Sequence, residues 1–310
     1  MAYVHIYVLY ILILGGIILS KLPYIHYHKD KNDLIRTYFL ALIPLLLFGF
    51  YKNGIRLYGN QLISFVDMFI PLYFYLISLI VGYIVALIRG EDKKEFMLYS
   101  LILACSISMN SNVFIYPVIL FAGLFVASYI KDKFRFNFVS LTRLFLILAL
   151  LLSQYSYMNV AEKLDAFHYN LFDLFFGYSI GGIASSSLFF VILAFILLLF
   201  NRFYKKNISI VASLSFALIL FLAFFITKDI SYVEKVLSGS VYFAFVFVGA
   251  DLAVSPNTNL GMILYGLVIG VFTALLALFL PIYEVPFISI FLVSLSIPLI
   301  NKICDKKYLQ

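Results

Sequence analysis

The chain has 310 residues, of which 64% are hydrophobic and 12% are charged, and its mean hydropathy is +1.06. A water-soluble domain is about half apolar and a quarter charged, so this composition excludes a soluble enzyme and indicates a multi-pass membrane protein. The formal net charge of +7 does not predict nucleic-acid binding. The basic residues lie in short segments between apolar runs, where they set membrane orientation, and the lipid bilayer is the first partner we expect.

Apolar runs of about 17 to 25 residues, some shorter, predict the spanning helices of an all-α protein. In chain order we count eleven runs, of which the second and fourth are short and the seventh is long enough to contain a break. No polar loop approaches the roughly 50 residues of a separate soluble domain, so one membrane domain over 1–310 is expected. The runs cover residues 2–20, 37–51, 62–88, 96–109, 113–130, 138–153, 170–200, 207–226, 238–253, 261–280 and 286–300.

The first run lacks the basic start and the small-residue cleavage pattern of a signal peptide, which predicts a retained helix. We place the segment 21–36 in the cytoplasm and assign the following segments alternately to the outside and to the cytoplasm. Sixteen of the 22 Lys and Arg residues then lie on the cytoplasmic side and five outside, with Arg143 alone inside a span. The positive-inside rule therefore predicts an N-terminus outside and a C-terminus in the cytoplasm.

Two stretches, 103–127 and 248–272, share one pattern: an apolar helix, a Ser/Asn-rich turn and a second apolar helix. In the expected orientation the first turn faces outward and the second inward. The pattern predicts two five-helix halves of opposite orientation, 22–153 and 169–301, after an extra N-terminal helix, 1–21. Inverted repeats carry their functional site at the interface between halves. Chance likeness of two membrane hairpins is the alternative.

Four ionisable residues lie within or at the edge of apolar runs: Asp67, Arg143, Asp173 and Asp251. A charge that faces lipid is costly, so each should face the bundle or water. Asp67 and Asp173 lie about two turns or less from a span end, and Arg143 lies close enough to its span start to reach cytoplasmic phosphates. Asp251 precedes a Ser-Pro turn, and irregular backbone at membrane depth must line a cavity or be buried, so a polar pocket is predicted there.

The segment FFGYSIGGIASSSLFF, 175–190, interrupts the longest apolar run. Its glycines permit a helix break or a close backbone approach, and its serines can cap a restarted helix and offer amides to a phosphate. A small-residue packing face between helices is the alternative. We find no nucleotide-binding loop, metalloprotease motif or nucleophile elbow, and the four histidines do not cluster, so no catalytic or metal-binding residue is assigned.

The stretch FVGADLAVSPNTNLGMILYGLVIGVF, 247–272, resembles the TDPVTSP(x)TxxGxxIYGxxIGV signature of the RnfD/NqrB family of membrane proteins. RnfD belongs to the Rnf ion-translocating oxidoreductase, and NqrB belongs to the sodium-pumping NADH:quinone reductase. Four further segments are similar to family motifs in the same order, so the resemblance covers nearly the whole chain after the first run. They are 22–54, FNFVSLTRLFLIL at 136–148, GGIASSS at 181–187, and FISIFLVSLSIPLINKICDKK at 287–307.

The resemblance implies a subunit of the prokaryotic cytoplasmic membrane that carries electrons through flavin. Its partners would be the other membrane and peripheral subunits of a complex that couples redox chemistry to Na⁺ or H⁺ movement. In the family, FMN is attached through a phosphoester bond to the threonine of an SGAT motif. The corresponding region, 153–170, reads SQYSYMNVAEKLDAFHYN and has no threonine. The resemblance therefore excludes covalent FMN at that position.

Non-covalent FMN remains an expectation from the resemblance. The departures fall on functional motifs, since GETS becomes ASSS and FNPA becomes FNFV, while the scaffold motifs survive. A flavin-free structural subunit is therefore an equal alternative to one that binds flavin. A transporter or channel-type permease on the same fold is the alternative to the electron-transport function. The candidate cofactor-binding residues are Gly181, Gly182, Ser185, Ser186, Ser187, Asp251, Ser255, Thr258, Asn137 and Arg143.

Overall fold

The protein is described here by a computed structural model. The first predicted run, 2–20, and most of the region that aligns with the family threonine lie outside the residues it describes. The boundary expected between the two halves, 153–169, lies outside them as well. The structure describes the backbone of residues 23–131, 136–151, 170–251, 255–256 and 258–306.

The first part of the chain forms long helices joined by short turns. A glycine with positive φ, Gly90, ends the second helix, and the Asp92 side chain caps the third by accepting a hydrogen bond from the Lys94 amide at 3.0 Å. The helices are α1, Pro23–Phe50, continued by a π-helical turn, Tyr51–Ile55, and a last turn, Arg56–Gly59; α2, Ile70–Arg89, preceded by a 3₁₀ turn, Asp67–Phe69; α3, Lys93–Ser106; α4, Ile115–Lys131; and α5, Phe138–Leu151.

The second part contains more breaks. The seventh predicted run, 170–200, is interrupted between α6 and α7, as its glycines and serines suggested. The ninth predicted run, 238–253, begins earlier than expected, with a short helix, α9, ahead of α10. The helices are α6, Leu171–Phe176; α7, Leu188–Leu199; α8, Lys206–Thr227; α9, Ser231–Val236; α10, Gly239–Ala244, continued by a π-helical turn, Phe245–Gly249; α11, Asn259–Leu276; α12, Val285–Ser294; and α13, Ile297–Lys306.

Several helices are long and apolar enough to cross a membrane. Within the described ranges there are five such segments, or six if α12 and α13, which are bent by 53°, form one span. The chain is therefore a helical multi-pass membrane protein, but length and apolarity support fewer spans than the eleven that we predicted. The five segments are Lys31–Gly59, Asp67–Arg89, Lys206–Thr227, Ser231–Gly249 and Asn259–Leu276.

Glycines allow close helix packing in both parts of the chain. A Cβ atom added at Gly82 on α2 would lie 2.6 Å from the Phe96 carbonyl oxygen on α3. On α11, a Cβ atom added at Gly266 would lie 2.8 Å from the Ile208 carbonyl oxygen on α8. Small residues at such crossings let membrane helices approach until their backbones touch.

Two helices form the centre of the protein. Every side chain of α3 from Leu98 to Ser106 is buried, and the π-helical turn after α10 is buried throughout. Ser185 lies between their ends, because its amide donates to the Cys105 carbonyl at 3.1 Å and its hydroxyl lies 3.4 Å from that of Ser240. The start of α10 is thus near the end of α3, and the two helices run antiparallel.

Candidate functional site

Polar side chains collect at the two ends of the central helices. The serine loop, residues 177–187, lies at the end of α3. The carboxylate cluster, which consists of Lys31, Tyr38, Glu95, Tyr99 and Asp251, lies near the start of α3 and just after the π-helical turn that follows α10. Membrane proteins keep such groups only where they are buried in protein or line a cavity.

The serine loop docks on the last carbonyl groups of α3. The Ile183 amide donates to the Ile107 carbonyl at 2.7 Å, and the Ala184 amide donates to the Cys105 carbonyl at 3.0 Å. The last carbonyls of a helix have no partner within the helix, and in hydrocarbon they must find one elsewhere. The loop amides supply that partner.

The serine hydroxyls also have partners within the protein. The Ser186 hydroxyl donates to the Gly177 carbonyl at 3.0 Å and accepts from Lys52 Nζ at 3.2 Å. The Ser187 hydroxyl accepts from the Phe190 amide at 3.3 Å and caps α7. The predicted capping role of the serine run is therefore confirmed at one residue.

Lys52 is a site residue that sequence reasoning missed. We expected it in a loop after the second run, 37–51, but α1 continues to Gly59 and buries Lys52 to 3% exposure. Its ammonium group also donates to the Ser179 carbonyl. The neighbouring Asn53 donates to the Ile183 carbonyl at 2.9 Å. A lysine at the end of an apolar run is usually a solvated boundary residue, so its position along the chain carries no signal for this role.

The serine loop does not fit a flavin phosphate. A Cβ atom added at Gly182 would lie 2.7 Å from the Ser106 carbonyl carbon and 2.8 Å from the Cys105 carbonyl oxygen, so the loop and α3 touch directly. Ser185, Ser186 and Ser187 are at most 1% exposed. Three amides of the loop, those of Ile183, Ala184 and Ser185, already donate to carbonyl groups at the end of α3.

Arg143 also donates hydrogen bonds to the end of α3. Its Nε donates to the Ser106 hydroxyl and its Nη2 to the Ser106 carbonyl, both at 3.1 Å. Its Nη2 also lies 3.6 Å from Glu284 Oε2, at the start of α12. Arg143 has no exposed surface, so the interpretation that it reaches cytoplasmic phosphates is wrong. The helix end favours a cation because the carbonyl groups of a helix point toward its C-terminus.

Asn137 has the same role at the other end of the central pair. Its Nδ2 donates to the Val248 carbonyl at 2.8 Å, at the end of the π-helical turn, and its Oδ1 accepts from the Ser140 amide at 2.9 Å. The α5 segment therefore supplies a cap to both central helices, Asn137 to one and Arg143 to the other.

The carboxylate cluster centres on Tyr99. The Tyr99 oxygen lies 2.8 Å from Glu95 Oε1 and 3.1 Å from Asp251 Oδ1, and Glu95 forms an ion pair with Lys31. These groups and Tyr38 line a cavity of about 30 Å³. Asp251 is 7% exposed, so the predicted polar surroundings of this residue are present.

The Ser-Pro turn after Asp251 is held by local hydrogen bonds. The Ser255 hydroxyl donates to the Asp251 carbonyl, and Lys205 Nζ donates to the Ser255 carbonyl at 2.9 Å. Burial lowers the pKa of the Lys205 ammonium group to about 8, against a smaller opposing effect of the Asp251 charge. Thr258 caps α11, since its Oγ1 accepts from the Gly261 amide at 3.1 Å.

The candidate residues do not form one pocket. The serine loop lies at the start of α10, while Asp251, Ser255 and Thr258 follow the end of its π-helical turn. The eleven residues of Gly239–Gly249 separate these groups by about 16 Å at 1.5 Å per residue. Asn137 lies at the Asp251 end and Arg143 at the Ser106 end.

The other two acidic candidates, Asp67 and Asp173, lie at helix starts. Asp67 accepts from the Ser64 hydroxyl at 2.7 Å, and Asp173 accepts from the Asn170 amide at 3.0 Å in a capping box. Both positions agree with the interpretation that these residues lie near span ends. Carboxylates in a first helical turn stabilise the helix, so no further role is needed for them.

Glu95 and Tyr99 were also missed from the sequence. Their spacing of four residues places them on one helix face, which could have indicated a pair. Nothing in the sequence, however, links that face to Asp251, 152 residues later.

A search of curated protein sequences finds none that matches this chain. A family model described as the NQR2, RnfD, RnfE family matches residues 18–310. The match includes the segment from Asp251 to Thr258, the serine loop and the α5 segment with Asn137 and Arg143. The chain therefore belongs to the NQR2, RnfD, RnfE family.

Proposed function

We propose that the chain is a membrane subunit of an Rnf- or Nqr-type electron-transport complex in the cytoplasmic membrane of a prokaryotic cell. The family match over residues 18–310 carries this proposal. In this proposal electrons reach the chain from partner subunits. The partners are further membrane subunits and peripheral subunits of the complex.

The protein in this proposal consists of two inverted five-helix halves, with the N-terminus outside and the C-terminus in the cytoplasm. Equivalent helix contacts support the repeat. In one half α2 packs on α4, α4 on α5 and α1 on α3; in the other α8 packs on α11, α11 on α12 and α7 on α10. The two halves contact each other where α1 packs on α7 and where α5 packs on α12. In this scheme α1 is equivalent to α7, and α5 is equivalent to α12. The polar turns before α4 and α11 both end in a capping side chain, Asn112 and Thr258.

The serine loop is, in this proposal, a structural clasp on α3 and binds no FMN phosphate. Opening the loop for a phosphate would break the three amide contacts to the Cys105 and Ile107 carbonyls. Each such hydrogen bond contributes about 0.5–1.5 kcal/mol, and an orphaned carbonyl in hydrocarbon costs more. This packing favours the flavin-free alternative at residues 181–187 over non-covalent FMN.

The visible absorption spectrum of the detergent-purified chain tests the flavin assignment. The sample is measured before and after acid precipitation. We expect no yellow chromophore that depends on the serine loop, so Ser186→Ala and wild-type protein give the same spectrum. Flavin that is released by acid from the wild-type protein and missing from the Ser186→Ala variant would contradict this assignment.

The functional assignment is tested in membrane vesicles from a host strain that lacks the chain. We expect these vesicles to lose ion uptake driven by the electron-transport complex, and the reintroduced chain to restore it. Ion uptake that continues at the wild-type rate without the chain would contradict the assignment.

A permease is the remaining alternative, and the arrangement of polar groups weighs against it. A pore needs polar groups along its length. Between the serine loop and the carboxylate cluster, the central helices present buried apolar side chains such as Leu103, Phe243 and Phe247. Purified chain alone in liposomes should therefore show no solute flux above that of empty liposomes.

A further inference from the structure

The hydroxyl group of Tyr99 lies between two carboxyl groups, those of Glu95 and Asp251. The distances from its oxygen are 2.8 Å to Glu95 Oε1 and 3.1 Å to Asp251 Oδ1. A phenol has one proton to donate, and an ionised carboxylate only accepts. If both carboxyl groups were ionised, one of the two contacts would join two acceptors with no proton between them. Both contacts are hydrogen bonds when one carboxyl group is protonated and donates to the Tyr99 oxygen.

Burial strengthens this requirement. Glu95, Tyr99 and Asp251 are 5%, 7% and 7% exposed, so bulk solvent screens the two carboxyl groups from each other only weakly. Two carboxylates that share one site disfavour double ionisation, because like charges repel and burial penalises the charged form. The arrangement therefore stores one proton for the pair rather than for either residue alone.

Charged and titratable groups on neighbouring elements also face this centre. Lys31 pairs with Glu95, and Lys205 lies near enough to interact with the Asp251 charge while it donates to the Ser255 carbonyl. Both lysines offset negative charge on the carboxyl groups, but the contacts of the Tyr99 oxygen with Glu95 and Asp251 still share a single phenol proton when both groups are ionised. Among the described residues, the phenols of Tyr38 on α1, Tyr204 before α8 and Tyr265 on α11 are further titratable neighbours.

A second observation indicates room for water at this place. Tyr38 lines the cavity and is 5% exposed, and its hydroxyl has no hydrogen-bond partner among the described residues. The cavity of about 30 Å³ exceeds the 10–15 Å³ that one water molecule needs. Water in the cavity would satisfy Tyr38 and connect the carboxyl groups to the surface near Lys31, whose side chain is 25% exposed.

We propose that Glu95, Tyr99 and Asp251 form a proton-binding site that holds one shared proton and passes it between the two carboxyl groups. In the forward step the protonated Glu95 gives its proton to the Tyr99 oxygen while Tyr99 gives its own proton to Asp251. One O–H bond breaks and one forms at each transfer, Tyr99 is a neutral phenol before and after, and the negative charge moves from Asp251 to Glu95. No oxidant or reductant takes part.

The transfer moves a proton between two carboxyl groups that are buried to a similar extent. Glu95 lies beside the partly exposed Lys31, and Asp251 lies just after the π-helical turn. This inference does not depend on the electron-transport assignment, since an isolated subunit would contain the same three groups. Infrared spectroscopy of the isolated chain therefore tests it separately from the vesicle assay.

The test measures the carbonyl stretch of protonated carboxyl groups in the full-length chain, in sodium-free buffer near neutral pH. Exchange into D₂O identifies the band by its shift. The Glu95→Gln and Asp251→Asn variants are compared with the wild type, and Glu91→Gln serves as the control because Glu91 is exposed just before α3. Size-exclusion chromatography checks that each variant is folded.

We expect a D₂O-sensitive carboxyl band in the wild type that is lost in both Glu95→Gln and Asp251→Asn and kept in Glu91→Gln. Loss in both variants is expected because each substitution removes one of the two carboxyl groups, and a single carboxyl group does not need the shared proton. A band that persists in either site variant, or no band in the wild type, would overturn the shared-proton site. If Asp251→Asn does not fold, the Glu95→Gln variant alone decides: persistence of the band there overturns the shared-proton site, and its loss supports it.

Discussion

Arg143 binds the end of α3 through two atoms of Ser106: its Nε donates to the hydroxyl and its Nη2 to the carbonyl, both at 3.1 Å. Arg143, a charged residue within an apolar span, is therefore a structural cap. Together with the serine loop it supplies partners for the last carbonyls of a helix that ends inside the protein.

The first prediction concerns this cap. Arg143→Ala removes two hydrogen bonds to Ser106 and the cation that lies 3.6 Å from the buried Glu284 carboxyl group, so we expect a loss of about 3–5 kcal/mol in the free energy of unfolding. Denaturant titration in mixed micelles measures it. The double variant Arg143→Ala with Glu284→Ala should lose less than the sum of the two single variants. Simple additivity would show that the 3.6 Å approach of Arg143 and Glu284 has no energetic role.

The second prediction concerns the contact between the serine loop and α3. Gly182→Ala places a Cβ atom 2.7 Å from the Ser106 carbonyl carbon, and neither backbone can move without breaking the amide contacts. We expect destabilisation of about 1–3 kcal/mol, measured by thermal unfolding. Gly59→Ala is the control, because a Cβ atom at Gly59 has no neighbour within 4 Å. Equal unfolding temperatures for the two variants would contradict the tight contact.

The third prediction concerns Lys52. Lys52→Met keeps the length of the side chain but removes the donor to the Ser179 carbonyl and the Ser186 hydroxyl, so we expect a loss of about 1–3 kcal/mol in unfolding free energy. Lys206→Met, at an exposed lysine, is the matched control and should change stability little. If the substitution at Lys52 is as harmless as that at Lys206, the clasp does not depend on this lysine.

The fourth prediction is a dependence of stability on pH. The pKa of Lys205 is about 8 in the folded protein, below its ordinary 10.5, because burial disfavours the ammonium form. Between these values the unfolded chain binds the proton and the folded chain does not, so unfolding free energy should rise with pH from about 8 to 10.5. Lys205→Met should remove that rise. A wild-type curve that falls over this window would contradict the assignment.

The sequence predicted the parts of the structure that depend on local pattern. Apolar runs indicated the helices because a chain in lipid must satisfy its backbone within helices. The break at the serine loop and the capping by Ser187 followed from residue types with strong local preferences.

The tertiary contacts of the site could not be predicted in this way. Lys52 looked like a boundary residue, and Glu95 like part of a polar loop, because their burial depends on helices that come later in the chain. The partners of Arg143 and Tyr99, Ser106 and Asp251, are set by how α5 and the end of the π-helical turn pack on α3. The candidate residues lie in two groups, one at the start of α10 and one after the π-helical turn that follows it. This division also depends on packing.

The most direct test of the account is the composition of the complex that contains this chain. The chain is tagged at its C-terminus, extracted from its native membrane in mild detergent and purified, and the co-purifying subunits are identified by mass spectrometry. We predict a stoichiometric complex with further membrane and peripheral subunits of an Rnf- or Nqr-type complex. A chain that purifies alone, from membranes in which those subunits form a complex without it, would contradict the assignment.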